Sequence, residues 1–115
     1  MSAEGCVFCK IVSGEIPART FERTGDALVI ADIEPAAPAH FLVIPTRHVA
    51  TLGDFAAQAE PHELGSLLAL AAKTGREASP SGYRVVVNEG RDANQIVFHL
   101  HLHVLAGRPF GWPPG

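Results

Sequence analysis

The sequence predicts an α+β fold made largely of antiparallel strands. Three observations carry that expectation. Short apolar runs are cut repeatedly by Gly, Pro and polar turn residues, the punctuation of strands. One longer segment, from Pro61 to about Glu77, repeats its apolar residues at helical spacing. Residues 97–104, Val-Phe-His-Leu-His-Leu-His-Val, alternate in chemistry at every step, which is the period of a strand. Strands that dominate around a single long helix belong to an α+β rather than a βαβ architecture.

The elements follow in order. Residues 6–12 predict a short helix stopped by Ser13-Gly14, because glycine suits the residue just past a helix end. Ile16 precedes Pro17 and is therefore extended. Residues 20–23 read as a short strand, 24–26 (Thr-Gly-Asp) as a turn, and 27–33 as a buried strand. Residues 34–38, Glu-Pro-Ala-Ala-Pro, form a loop, and 40–45 a further strand closed by proline. Residues 53–60 hold a helical turn. The long helix starts with Pro61, a residue suited to the first helical position. Leu64, Leu67, Leu68, Ala71 and Ala72 give it one apolar stripe. Ser79–Gly82 ends it. Residues 83–88 form a strand, 89–94 a polar turn, and the histidine strand returns beside it as a meander. The tail, 108–115, carries no regular pattern.

At 115 residues the chain is one ordinary domain, long enough for a core without staples. A net charge of −3 with scattered basic residues argues against sequence-independent nucleic-acid binding. No apolar run reaches membrane-spanning length, and no basic start with an apolar region suggests a signal peptide. No membrane partner is expected, and a cytoplasmic location is the default expectation.

Chemistry concentrates in the histidines and cysteines. In a strand Phe98, Leu100, Leu102 and Val104 turn one way, into a core, and His99, His101 and His103 the other. Imidazole serves as nucleophile, base or metal ligand near neutral pH. Neighbouring rings, roughly 6.5 Å apart along the strand, can share an ion; all three, spanning roughly 13 Å, can hardly do so. A phosphate chain laid along the row is a second reading, and three solvated edge histidines a third. Cys6 and Cys9 form a C-x-x-C. A disulfide framework needs more cysteines and an oxidising compartment. A redox C-x-x-C follows a strand, and here only five residues precede it. Half of a zinc site needs two further ligands, for which His48 and His99 are available.

His99-Leu100-His101-Leu102-His103 resembles the signature of the histidine-triad (HIT) family. His40–Pro45, Val87–Gly90, the Cys6–Val12 and Glu15–Ala18 segments, and the final Trp112-Pro113-Pro114-Gly115 resemble its Hint branch, the purine nucleoside phosphoramidases. The likeness runs over nearly the whole chain, 1–115, as one domain. It implies a HIT-like five-stranded antiparallel sheet with one long and one or two short helices. It also implies a homodimer with the tail 108–115 packed at the dimer and active site. The implied activity is hydrolysis of the P–N bond in purine nucleoside 5′-phosphoramidates, and of aminoacyl-adenylates, through a nucleotidyl-histidine.

Residue by residue, the resemblance makes His101 the nucleophile, His103 a phosphate contact, His99 a support and His40 an active-site neighbour. Asn88 falls on the phosphate side, with His103 and backbone N–H groups near Asn94 and Gln95 to stabilise phosphoryl charge; no divalent metal is required there. Asp32 matches the carboxylate that takes the ribose hydroxyls. Val7, Phe8, Ile11, Ile16, Ile30 and Ile33 match the apolar clamp around the base, and Trp112 a residue that reaches toward the partner's site. Cys6, Cys9, His48 and His99 occupy the positions of a structural zinc site of bacterial members. Asn94 stands where Gly is usual, and Ile96 where Ser or Thr is frequent. His62 matches nothing and is expected in solvent on the first helix turn, as is Glu89 in its turn. Two other functions compete: a sister branch that hydrolyses dinucleoside polyphosphates, against which the W-P-P-G end argues, and a zinc-stabilised nucleotide-binding regulatory dimer, against which the intact triad argues.

Overall fold

The computed structural model describes residues 5–115. In chain order it has α1 (Val7–Val12), β1 (Thr20–Arg23), β2 (Ala27–Ala31), β3 (Ala39–Pro45), α2 (Leu52–Gln58) and α3 (Pro61–Ala78). Then come β4 (Tyr83–Val86), a turn of 3-10 helix (Arg91–Ala93), and β5 (Leu102–Ala106). All strand pairings are antiparallel, in the order β1-β2-β3-β5-β4. The expected α+β fold is the one observed.

The sheet is covered on both faces, which explains why Ala27–Ile30 are buried without alternation. One face packs Ala27, Val29, Val43, Leu100, Leu102 and Val104 against Phe55 of α2 and Leu67, Leu70 and Ala71 of α3. The other packs Leu28, Ile30, Leu42 and Ile44 against Cys6 and Phe8 at α1. His40 alternates with Leu42 and Ile44 along β3 onto this second face, and His103 of β5 lies opposite Leu42. A Cβ added at Gly75 would run into the ring of Tyr83, so the α3 backbone lies directly against that β4 side chain.

The helix ends are closed as the sequence chemistry requires. Cys6 caps α1 through its thiol, which accepts the Cys9 N–H at 3.3 Å. Thr51 caps α2, its hydroxyl accepting the Asp54 N–H at 3.1 Å. Glu63 closes α3 by accepting the Glu60 N–H at 3.2 Å, and the same carboxylate pairs with Arg47 at 2.8 Å.

Three expectations are corrected. The histidine strand is only half a strand: β5 begins at Leu102, and 97–101 approach it irregularly. Here the Leu100 N–H donates to the Val49 carbonyl at 2.7 Å, not to a neighbouring strand. Leu100, Leu102 and Val104 still reach the core, whereas Phe98 is 36% exposed. On α3 Leu68 lies outside the stripe and Leu70 inside it, because a helix seated on a sheet buries the narrower 67–70/71–75 line. Finally β2 stops at Ala31 rather than Ile33. The Asp32 carboxylate accepts the Glu34 N–H at 2.8 Å and turns the chain out of the sheet.

Candidate functional site

The row of histidines divides between two clusters that meet at His99 and His101. In the first, Cys6, Cys9, His48 and His99 bring one donor atom each to within 4.8 Å of one another. The Nδ1 of His99 lies 3.3 Å from the Cys6 Sγ and 3.5 Å from the Cys9 Sγ. The Nδ1 of His48 lies 3.2 Å from the Cys9 Sγ. Sulfur and nitrogen ligands on a tetrahedral zinc stand about 3.5 Å apart, given the usual bond lengths. On its far side His99 donates Nε2–H to the Pro45 carbonyl at 2.8 Å, so its lone pair is turned to the thiols. Burial, followed by the neighbouring Cys6 thiol, pushes the Cys9 thiol up to about 11. The Cys9 thiol therefore resists ionising unless a cation shares its charge. The residues therefore fit a Cys2His2 metal centre, one that would tie α1 to the ends of β3 and β5.

The second cluster is an ordered chain of hydrogen bonds. The Ala36 N–H donates to His40 Nδ1 at 2.9 Å, which places the His40 proton on Nε2. That Nε2 lies 2.9 Å from His103 Nδ1 and 3.3 Å from an Asp32 carboxylate oxygen. His103 Nδ1 is thus the acceptor, and its Nε2 carries a proton outward. His101 is set the opposite way: it donates Nδ1–H to the His99 carbonyl at 2.8 Å, leaving a lone pair on Nε2. The rings of His101 and His103 sit 4.9 Å apart, centroid to centroid. One ring therefore presents a lone pair beside another that presents an N–H.

Burial holds these rings neutral. Desolvation lowers His101 below the ordinary imidazole range, against the opposing pull of the His99 carbonyl and Asp32. Burial and then His101 and His40 lower His103 to about 4. His40 is lowered by burial as well, with Asp32 opposing. Asp32, His40 and His103 also lie close enough to suggest a metal site. The Ala36 N–H argues otherwise, since it requires a proton on the very nitrogen that would bind the ion.

Phe8 lies edge-on to both His99, at 5.9 Å, and His101, at 5.0 Å. Of the other residues assigned to a base clamp, Ile11 and Ile16 line a groove of about 530 Å³ with Val12, Pro17 and Leu28. Ile30 is buried in the core beneath them and Val7 is exposed. Ile33, 94% exposed, and Trp112, 84% exposed, stand clear of the body of the subunit. Asn88 is half-buried in the turn after β4.

The backbone N–H groups of Asn94 and Gln95, expected near the phosphate, are engaged within their own loop. The Asn94 N–H donates to the Arg91 carbonyl and the Gln95 N–H to the Gly90 carbonyl. The Gln95 side chain is spent too: its amide donates to the Ala50 carbonyl at 2.7 Å and the Val97 carbonyl at 3.2 Å. Its oxygen accepts the Gly90 N–H at 3.0 Å. Gln95 braces the loop from inside, and Asn94, at φ 63°, makes its left-handed turn. Glu89 is exposed, as expected, yet its carboxylate accepts the Gly53 N–H at 2.8 Å and so closes the first turn of α2. His62 is exposed. The groups that sequence reasoning missed are the Ala36 amide and the Pro45 carbonyl, and no side-chain signal marks either.

The chain is similar to known proteins over nearly its whole length. An uncharacterized HIT-like protein of Synechocystis sp. is 44% identical over 115 residues, covering 98% of this chain and 99% of that protein. The crystal structure of a HIT family hydrolase from Legionella pneumophila superposes with a TM-score of 0.90 at 41% identity, covering 96% of this chain and 100% of that one. A Zn-bound histidine triad family protein from Mycobacterium smegmatis superposes at 0.80 with 34% identity, covering 99% and 82%. Residues 13–110, which hold both histidine clusters except for Cys6 and Cys9, match the HIT domain, and the chain belongs to that family.

Proposed function

We propose that this chain is a nucleotide hydrolase that cleaves the P–N bond of purine nucleoside 5′-phosphoramidates, and the acyl P–O bond of aminoacyl-adenylates, through a nucleotidyl-histidine at His101. The observation that carries the reading is the opposed setting of two adjacent neutral rings, a lone pair on His101 and an N–H on His103. His101 Nε2 attacks the α-phosphorus, the P–N bond breaks, and the departing nitrogen takes a proton from solvent. Water then attacks the same phosphorus, the bond to His101 breaks, and the water's proton returns to solvent. Dividing one displacement into two easier ones is the gain of covalent catalysis.

In this reading His103 and Asn88 stabilise the phosphoryl oxygens, and His40 holds the His103 proton in place. Asp32 gives negative charge to the pair and, with the lone pairs left on its carboxylate, takes the ribose hydroxyls. Phe8, Ile11 and Ile16 hold the base. These residues need no divalent metal at the phosphate. A zinc ion held by Cys6, Cys9, His48 and His99 would supply structural cross-linking, away from the reacting atoms. Two copies would pair along the outer edge of β4, which carries the exposed Val85, with Trp112 reaching the neighbouring site.

The test is single turnover with an adenosine 5′-phosphoramidate, quenched early and read by mass spectrometry. An adenylyl adduct on His101, with AMP and free amine as products, is expected. An adduct on His103, or no release of AMP, refutes the reading.

A further inference from the structure

The geometry points to Arg108 as a positioning residue, one that fixes the Ala36 peptide and through it the proton order of His40 and His103. The inference rests on the reading of His101 and His103 as the phosphoryl-transfer pair. Three hydrogen bonds run in series. Arg108 Nη2 donates to the Ala36 carbonyl at 3.3 Å, the Ala36 N–H donates to His40 Nδ1 at 2.9 Å, and His40 Nε2–H donates to His103 Nδ1 at 2.9 Å. The Ala36 N–H on Nδ1 and the Asp32 carboxylate, 3.3 Å from Nε2, together set which His40 nitrogen is protonated, and that choice decides whether His103 presents an N–H outward.

Before Ala36 the loop is held by the Asp32 carboxylate on the Glu34 N–H at 2.8 Å, and after it by the buried Ala37; the Ala36 carbonyl itself is held by Arg108. Pro35 and Pro38 have no N–H to give, and Glu34 to Ala36 are exposed. Residues 107 and 108 close on it from two sides. Gly107, at φ 97°, sits so close to Pro38 that an added Cβ would lie 2.8 Å from the proline Cβ. Arg108 is itself anchored: its guanidinium lies 4.4 Å from the centre of the Phe110 ring and donates to the Pro109 carbonyl at 3.1 Å. Arg84 of β4 stacks on the same ring at 5.2 Å and holds the Gly111 carbonyl at 2.7 Å. The tail is thus tied to the sheet edge, and its arginine reaches back to the loop.

The experiment is nitrogen-15 NMR of imidazole-labelled full-length protein, comparing the wild type with Arg108→Ala and Arg108→Lys, with steady-state kinetics and thermal unfolding alongside. The wild type is expected to show His40 protonated on Nε2 alone. Arg108→Ala is expected to show averaging between the two His40 forms and a shifted His103. Its kcat on the phosphoramidate should fall by about 3- to 10-fold, the worth of one ordinary hydrogen bond, with KM nearly unchanged. Arg108→Lys, which keeps a cation and a donor, should recover part of both signals. It also carries the comparison if the alanine variant is unstable. His40 and His103 signals that match the wild type in these variants overturn the inference. A wild type that turns over no phosphoramidate defeats the proposed function instead, while the imidazole signals still decide the role of Arg108.

Discussion

The two histidine clusters use one side chain for opposite ends. At the cysteines, His99 turns its lone pair inward to two thiols because its other nitrogen is engaged by the Pro45 carbonyl. At the second cluster, His40 presents a proton because its other nitrogen accepts the Ala36 N–H. His101, between them, keeps a lone pair on Nε2 because its Nδ1–H donates to the His99 carbonyl. In each case a backbone group on the far side of the ring sets what the near side does. The difference teaches that a donor set converging on one point suits a metal, whereas rings joined head to tail suit proton order and phosphoryl chemistry.

If that division is right, the two clusters fail in different ways. The largest effect is expected from His101→Ala, which should lower turnover of an adenosine phosphoramidate by at least about 10³-fold. AMP binding, measured by calorimetry, should stay near that of the wild type. Substantial residual turnover would remove His101 from its role. Cys6→Ala should act on stability first. Its side chain is fully buried, and loss of a metal cross-link on the order of 3 kcal/mol corresponds to a Tm lower by about 10 °C for a domain of this size. Metal content, read by elemental analysis, should fall with it. Zinc-free wild-type protein with fully reactive thiols would break the comparison.

A smaller effect follows from acid. Because His103 titrates at about 4 when folded, against an ordinary 6.5, the unfolded chain binds its proton first. Stability is therefore whole above about pH 6.5 and falls as pH drops toward 4. His103→Gln should flatten that slope in urea unfolding between pH 7 and 4.5, and equal slopes would show that the ring is not held neutral by the fold. The smallest effect concerns Ile96, 73% exposed just before the histidines. Lacking the hydroxyl frequent at this position, the chain should favour good leaving groups. Ile96→Ser should raise kcat/KM for alkyl phosphoramidates more than for aminoacyl-adenylates. Parallel dependences on amine pKa would make the position neutral.

Much of this was legible in the sequence, and the limits have physical causes. Alternation placed Leu100, Leu102 and Val104 in the core and the histidines on the other face, since burial depends on pattern. The C-x-x-C and the position of His48 and His99 were legible through the resemblance. The sorting of His99 from His103 was not, because it depends on the Pro45 and His99 carbonyls and the Ala36 amide, groups that every residue has and no composition marks. The bracing role of Gln95 was not legible for a related reason: the side chain is only 7% exposed, and the backbone groups its amide serves leave no mark in the sequence. Leu68 misled because helical periodicity gives a stripe without saying which edge of it the sheet covers.

The strand order carries a further consequence for how the molecule comes into being. β5 is the last strand in the chain yet lies between β3 and β4, so the sheet has a gap at its middle until residues 102–106 are available to fill it. Cys6 and His99, 93 positions apart, can meet only after that insertion, and the His40–His103 contact forms with it. Closing such long loops is slow, and no half-made sheet can possess either cluster. A chain emerging during synthesis therefore holds neither cluster until residues 99–106 have joined the sheet, and both clusters then form together rather than by degrees.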